Sequence, residues 1–230
     1  MRLFLASTNP GRLREFRSAA LASGIAVEAL PGIAELPDCD EDGQTFEENA
    51  RKKAVHYSRC TDGLVVADDS GIAVDALGGA PGARSARFAE PRASDAANNA
   101  KLIEELRRVA VGRAPRATGP AASPLPAAHY VCVIALARRE QVLAVTKGHA
   151  DGVILDEPRG SGGFGYDPYF FYPPLGRTFA ELNPEEKFAV SHRGTAFRRL
   201  LSLLRERDPS ATAGERSAAA ESEGRPRMLS

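Results

Sequence analysis

The chain has 230 residues, of which 43% are hydrophobic and 26% are charged, a composition typical of one globular unit with a sizeable core. Its 30 basic residues balance its 30 acidic ones, so no overall field favours nucleic acid or an anionic membrane. The N-terminus lacks signal-peptide architecture and no long apolar run occurs, so we expect a cytoplasmic protein. The scattered cysteines Cys39, Cys60 and Cys132 predict neither a disulfide framework nor a zinc site.

The first third of the chain predicts two helices and two strands. Residues 2–6 form a short apolar run, followed by a polar turn and then by apolar residues at helical spacing, which predicts a strand, a turn and a helix. Thr45 and Glu48 have the spacing of a capping box, which predicts the start of a second helix. Residues 64–67 are continuously apolar and lead into Asp68-Asp69, which is typical of a buried strand that delivers acidic side chains at its carboxyl end.

Further along, a helix is predicted from Asp95, because apolar residues recur on one face after it. Residues 130–136 and 142–146 lie on either side of the polar turn 138–140 and predict a β-hairpin. The last predicted helix covers about residues 191–205, with its apolar residues at helical spacing.

Two segments do not fit this regular pattern. Residues 113–128 are rich in alanine and proline, which predicts a loop of unusual length. Residues 206–230 lack apolar spacing and predict a disordered tail. We therefore expect one domain over residues 1–205, with 113–128 as a loop insertion.

The turn between the first strand and helix is the first candidate site. Free backbone N–H groups and the positive end of a helix favour a phosphate there, and Arg12 adds a fixed charge. The sequence is not a Walker A motif, and an ordinary capped helix start accounts for the same residues.

The second candidate is the pair Asp68-Asp69, supported by Glu41. Magnesium prefers oxygen ligands and usually takes one or two carboxylates together with waters and substrate phosphates. Adjacent strand residues point to opposite faces, so one aspartate can meet a metal while the other turns toward the structure. A solvated acidic turn is the competing interpretation.

The third and fourth candidates are an aromatic glycine-rich loop and a basic segment. In residues 162–168, glycines permit close backbone approach, an aromatic ring offers a stacking surface, and Asp167 can accept hydrogen bonds from ring nitrogens. Lys187 precedes the predicted start of the last helix and Arg193 lies at it. Positive charge near a helix N-terminus opposes the helix dipole, so binding of a phosphate or carbonyl would explain their placement. A surface turn and a solvated basic patch account for the same residues taken singly.

Together these motifs resemble, in order and from Leu3 to Arg205, the Ham1/RdgB family of inosine and xanthosine triphosphate pyrophosphatases. The segments that carry the resemblance are 7–12, 41–50, 67–71, 78–82, 85–88, 163–168, 179–182, 185–187 and 191–193.

The resemblance implies a mixed α/β fold with an elongated central sheet and two lobes around a cleft, usually as a homodimer. It implies magnesium-dependent hydrolysis of non-standard purine nucleoside triphosphates (ITP, dITP, XTP) to the monophosphate and pyrophosphate. Asp69 is then the proton acceptor, and Glu41 and Asp69, with Asp68 as a further candidate, serve the metal. The substrate contacts implied are Ser7, Thr8, Asn9, Pro10, Gly11, Arg12, Ser70, Phe164, Gly165, Tyr166, Asp167, Lys187, His192 and Arg193.

Two departures and two alternatives remain. Arg12 stands where the family commonly has lysine. The arginine keeps the positive charge but has a planar guanidinium group in place of a compact ammonium. The 113–128 loop is longer than the resemblance leads us to expect. The alternatives are a Maf-type nucleotide pyrophosphatase and a non-catalytic nucleotide sensor.

Overall fold

The computed structural model of the protein describes residues 1–112 and 125–207. Its helices and strands are, in chain order, β1 (Arg2–Leu5), α1 (Pro10–Ala20), β2 (Ala26–Ala29), α2 (Phe46–Ser58), β3 (Leu64–Val74), α3 (Asp95–Gly112), β4 (Ala127–Arg138), β5 (Gln141–Ile154), β6 (Phe170–Tyr172), β7 (Arg177–Thr178), α4 (Pro184–Val190) and α5 (His192–Arg207). No helix within the described ranges is long and apolar enough to cross a bilayer.

The strands form one mixed sheet in the order β2-β1-β3-β4-β5-β6-β7. β1 pairs in parallel with β2 and β3, whereas all pairings from β3 to β7 are antiparallel. The predicted mixed α/β class is therefore confirmed.

β3 differs from its prediction. The apolar run was expected to end the strand and to leave Asp68 and Asp69 at its carboxyl end, but β3 continues to Val74. The reason is the partner strand, because β4 pairs with β3 from Val65 through Val74. The two aspartates therefore lie in the middle of a strand.

Alternate side chains of the sheet enter different cores. Leu3, Leu5 and Val66 pack with α1 and α5, whereas Val65 and Ala67 pack with α2 on the opposite face. Further along β3, Ile72 and Val74 belong to another core, which includes apolar residues of α3, β4 and β5. Strands β3 and β4 are thus shared by separate cores, in agreement with the two-lobed arrangement that the resemblance implies.

Several predicted boundaries need correction. The hairpin is confirmed, with longer strands and a tight turn at Arg139 and Glu140, whose φ angles of 49° and 62° are positive. The predicted 113–128 loop ends early, because β4 already begins at Ala127, where it pairs with β5. Residues 113–124 of that loop lie outside the described residues. So does the predicted disordered tail, apart from residues 206 and 207, which belong to α5.

Candidate active site

The candidate site lies where β1 ends beside β3. The strand order β2-β1-β3, with α1 and α2 on opposite faces, places a reversal of the chain between β1 and β3. Ligands of α/β proteins bind outside the carboxyl ends of strands at such a point. At this end of β1, the last hydrogen bond to β3 runs from the Ala6 N–H to the Val66 carbonyl, at 2.8 Å. Beyond Val66, β3 continues next to the turn that follows β1.

A cleft of about 210 Å³ opens at this point. Most of the predicted substrate-contacting residues line it: Asn9, Arg12, Ser70, Phe164, Gly165, Tyr166, Asp167, Lys187, His192 and Arg193. The other predicted residues of the turn (Ser7, Thr8, Pro10 and Gly11) and the predicted metal ligands Glu41 and Asp69 are not among its lining residues. The structure thus brings together segments separated by up to 184 positions in the chain, from Asn9 to Arg193.

Asp68 faces α1 and α5 and holds two arginines. Its Oδ1 is 3.4 Å from Arg12 Nη1, and its Oδ2 accepts a hydrogen bond of 3.2 Å from Arg193 Nε. The Asp68 side chain is only 1% exposed. Burial alone would raise its pKa, but the positive charges of Arg12 and Arg193 outweigh burial and lower the pKa to about 2. Asp68 is therefore an ionised anchor for cations of the cleft.

Asp69 faces α2, on the other side of β3. Its Oδ2 accepts a 3.0 Å hydrogen bond from Asn49 Nδ2, and its Oδ1 accepts one of 3.1 Å from the Ser70 N–H. Burial is the main cause that raises the pKa of Asp69 to about 6, and the negative charges of Glu41 and Asp68 add to it. One strand thus presents two adjacent carboxylates with opposite pKa shifts.

Glu41 is held near Asp69 by three residues that the sequence analysis missed. Lys53 Nζ contacts the Glu41 carboxylate, and Arg87 Nη2 donates a 2.7 Å hydrogen bond to the Glu41 carbonyl. The buried Asn49 accepts a 2.8 Å bond from the Gly43 N–H through Oδ1, while its Nδ2 bonds Asp69. A single amide therefore connects the Glu41 loop to Asp69.

A signal for two of these residues exists in the sequence. Asn49 and Lys53 lie four residues apart and next to Ala50 and Ala54, whose spacing gives the predicted second helix an apolar face. Polar side chains on a buried helix face require partners. Their position in the sequence therefore indicates that Asn49 and Lys53 have polar partners in the fold.

In the turn before α1, the prediction of free backbone N–H groups needs correction for three residues, Asn9, Gly11 and Arg12. Asn9 caps the helix, and its Oδ1 accepts hydrogen bonds from the N–H groups of Gly11 (2.8 Å) and Arg12 (3.1 Å). The Asn9 N–H in turn bonds Ser7 Oγ at 3.2 Å, and Pro10 has no N–H. Asparagine is a preferred N-cap, so the local sequence satisfies these three donors. Arg12 is the residue of this turn that brings positive charge to the cleft.

The aromatic loop is organised by Asp167. Lys187 Nζ donates to Asp167 Oδ2 at 2.5 Å, and the same oxygen accepts a 2.8 Å bond from the Phe164 N–H. Tyr130 donates its hydroxyl to Oδ1 at 3.2 Å. Both oxygens of this buried carboxylate thus have protein partners, so a purine base would have to share Asp167 with Lys187, Phe164 and Tyr130.

Phe164 lies over the two cations that the sequence analysis selected. Its ring centroid is 4.5 Å from Lys187 Nζ and 5.4 Å from Arg193 Cζ. Such contacts are attractive because the face of an aromatic ring is electronegative. Tyr166, by contrast, is buried in the core.

His192 and Arg193 begin α5, at the floor of the cleft. The His192 ring stacks on Tyr130 at 4.5 Å, and its Nδ1 has no hydrogen-bond partner among the described residues. Burial, with the nearby charges of Arg193 and Lys187, lowers the pKa of His192 well below its ordinary value, so the ring is neutral. Arg193 bonds Asp68, Glu15 and Ser70 through its three nitrogens, and each Nη retains a second N–H.

The donors near Asp69 limit which metal fits. Within residues 1–112 and 125–207, no group of three or more histidine, cysteine, aspartate or glutamate side chains is placed to hold a metal ion. A structural zinc site needs four such ligands, whereas magnesium is often held by one or two carboxylates with waters and phosphates.

Comparison with known proteins agrees with this arrangement. The model of the Ham1 family matches residues 3–203. The chain is 46% identical to a dITP/XTP pyrophosphatase of Acidobacterium capsulatum, over 88% of this chain and 97% of that protein. It is 47% identical to a dITP/XTP pyrophosphatase of Burkholderia pseudomallei, over 89% of this chain and 94% of that protein.

A solved structure extends the comparison to the fold. A HAM1 protein from Coxiella burnetii superposes with a TM-score of 0.77 at 38% identity, covering 90% of this chain and 99% of that one. A family match over residues 3–203, nearly full-length relatives and a shared fold show that this chain belongs to the Ham1 family.

Proposed function

We propose that this protein hydrolyses non-standard purine nucleoside triphosphates, namely ITP, dITP and XTP, to the monophosphate and pyrophosphate. The names of its relatives support this substrate class. The observation that carries the proposal is the placement of Asp69 directly before Ser70, which lines the cleft and whose N–H bonds Asp69 Oδ1. Asp69 is a buried carboxylate with a raised pKa, and its neighbour Asp68 on the same strand anchors two arginines of a cleft.

The cations of the cleft would bind the triphosphate. Arg12 lines the cleft, and its Nε is buried with no hydrogen-bond partner in the described part of the chain. Asp68 and Asp167 hold Arg12 and Lys187 through ion pairs, so both charges are oriented before a nucleotide binds. Charges that are already in place stabilise the charge that develops on the phosphates in the transition state.

Magnesium is the cofactor that we propose, with Glu41 and Asp69 as its protein ligands. The negative charge of Glu41 contributes to the raised pKa of Asp69, so a cation between these carboxylates would relieve their repulsion. When bound, magnesium neutralises phosphate charge and lowers the pKa of a bound water. Lys53, which contacts Glu41, would keep that side chain turned toward the site.

Asp69 would orient the attacking water toward the α-phosphorus and accept its proton, with pyrophosphate as the leaving group. A pKa of about 6 in the metal-free protein is close to the range of general bases that work at neutral pH. Asn49 fixes the side-chain orientation through its bond to Oδ2.

The purine base would lie against Phe164 and the start of α5. The unused N–H groups of Arg193 are donors that suit the 6-oxo group of hypoxanthine or xanthine. Adenine presents an amino donor at this position and would leave those groups unpaired, at a cost of about 1–3 kcal/mol per group.

A magnesium-dependent assay of pyrophosphate release from ITP, dITP, XTP, GTP, dUTP and ATP tests the proposal. We expect turnover of the first three and its loss in Asp69→Asn. A preference for dUTP or ATP would support the Maf-type alternative, and nucleotide binding without product would support a sensor. Release of pyrophosphate by Asp69→Asn at the wild-type rate would refute the assigned mechanism.

We also propose that the protein acts in the cytoplasm as a homodimer, as the resemblance implies. Light scattering after gel filtration tests the second point. A particle of twice the chain mass is expected, and a particle of single mass would contradict it.

A further inference from the structure

Two side chains at the start of α3 hold one peptide group of the aromatic loop. Asp95 Oδ2 accepts a 2.6 Å hydrogen bond from the Gly165 N–H, and Asn99 Nδ2 donates one of 2.9 Å to the Gly165 carbonyl. Asp95 and Asn99 are four residues apart and so lie on one side of the helix. Gly165 has a φ of 63°, a conformation that other residues adopt with strain. We call these two bonds the Gly165 clamp.

The same turn of α3 holds a second segment of the cleft wall. Asn98 accepts a 2.9 Å bond from the Ala89 N–H and donates one of 3.2 Å to the Ala86 carbonyl. The Tyr166 hydroxyl donates to the Ser85 carbonyl at 2.8 Å, which connects the two segments directly. Both segments line the cleft. Their separation is therefore set by side chains of one helical turn.

We propose that Asp95 and Asn99 are positioning residues that set base selectivity, an inference that rests on the proposed function. The clamp fixes the peptide next to Phe164, whose ring lies over Lys187 and Arg193. A displaced Gly165 peptide moves this ring and widens the gap in which the base lies. The cations that would bind the triphosphate are anchored by other bonds: Asp68 on β3 pairs with Arg12 and Arg193, and Asp167, which pairs with Lys187, is itself held by the Tyr130 hydroxyl of β4. Loss of the clamp therefore affects recognition of the base and leaves recognition of the phosphates intact.

Asp95→Ala is the variant of choice, because Asp95 is exposed and Ser94 Oγ still caps the helix through the Ala97 N–H. Asp95→Asn retains an acceptor for the Gly165 N–H and is the conservative comparison. Glu104→Gln, at an exposed position of the same helix, is the matched control. For each protein we would measure kcat and KM for ITP and GTP, and inhibition by inorganic triphosphate, which has no base.

We expect Asp95→Ala to raise the KM for ITP about three- to tenfold, as loss of one hydrogen bond does, with little change in kcat. The ratio of kcat/KM for ITP to that for GTP should fall by a similar factor. The inhibition constant of inorganic triphosphate should stay at the wild-type value, and Asp95→Asn and Glu104→Gln should resemble the wild type.

Three results would overturn the inference. Wild-type KM and selectivity in Asp95→Ala would show that the clamp does not position the base. A parallel rise in the triphosphate inhibition constant would show general damage to the site. Equal impairment of Asp95→Asn would show that the hydrogen bond is not the cause. A wild-type protein that hydrolyses none of the nucleotides would instead refute the proposed function.

Discussion

Asp69→Asn should abolish turnover. In the metal-free protein, the stability of the variant relative to the wild type should also rise from acid to neutral pH. The folded structure raises the pKa of Asp69 from 3.8 to about 6, chiefly through burial. At about 1.4 kcal/mol per pKa unit, ionised Asp69 costs the folded state about 3 kcal/mol once the pH exceeds 6. Asparagine carries no charge, so the variant does not have this cost.

A fixed loss works against this gain. The two oxygens of Asp69 accept bonds from Asn49 and from the Ser70 N–H, and asparagine offers only one acceptor. Leaving one buried donor unpaired costs about 1–3 kcal/mol at every pH. We therefore expect a net stabilisation of about 0–2 kcal/mol above pH 6 and a net loss near pH 4.

The pH dependence of the stability difference distinguishes the cost of the buried charge from the lost hydrogen bond, because only the charge effect changes with pH. Between pH 3.8 and about 6 the folded wild type binds more protons at Asp69 than the unfolded chain does, so its stability falls as the pH rises. Urea denaturation in EDTA at pH values from about 4 to 8 measures this. The difference in unfolding free energy, variant minus wild type, should grow by up to about 3 kcal/mol over that range.

Asp68→Asn is the matched control, since the pKa of Asp68 is lowered to about 2 and the shift has the opposite sign. Ionised Asp68 stabilises the folded protein above its unfolded pKa, and this contribution is lost as the pH falls toward 2. The variant should be destabilised at neutral pH, with a deficit that shrinks in acid. If the Asp69→Asn difference stayed constant or shrank with rising pH, the fold would not raise the pKa of Asp69.

Other substitutions test separate parts of the site. Lys187→Met leaves the buried Asp167 carboxylate without its cation and should cost about 3–5 kcal/mol in a denaturation experiment; a cost below about 1 kcal/mol would contradict the pairing. Gly148→Ala would force a Cβ against the backbone of His192 and Ala196, so it should lower the melting temperature and weaken nucleotide binding; if neither changed, the close approach of α5 to β5 would be unimportant. Calorimetry can measure the affinity for an α,β-imido analogue of ITP with and without magnesium. Asn49→Asp should reduce the gain in affinity that magnesium gives and leave the magnesium-free affinity unchanged. An unchanged gain would contradict the role of this amide in connecting the Glu41 loop to Asp69.

Local patterns predicted most of the elements that surround the cleft. The capping box at Thr45 and Glu48 and the apolar stripe of α5 are encoded within a few residues, and both are confirmed. The alternation of side chains along a strand also separated Asp68 from Asp69 correctly, as their different partners show. These features depend only on neighbours in the chain.

Features that depend on distant partners were missed. Asp-Asp-Ser-Gly has the composition of a turn, and β3 continues through it because β4, about 60 positions away, supplies hydrogen bonds. Asp167 was predicted as an acceptor for the base, and the sequence did not show that Lys187 donates a hydrogen bond to it. The short strands β2, β6 and β7 were also missed, since two to four residues carry too little periodicity.

Hydrolysis in water enriched with ¹⁸O tests the central claim most directly, because it reports which phosphorus the water attacks. We predict that ITP hydrolysed by the wild-type protein yields inosine monophosphate carrying the label and pyrophosphate without it. Asp69→Asn should give neither product. Label in pyrophosphate or in inorganic phosphate would place the attack at another phosphorus and contradict the account.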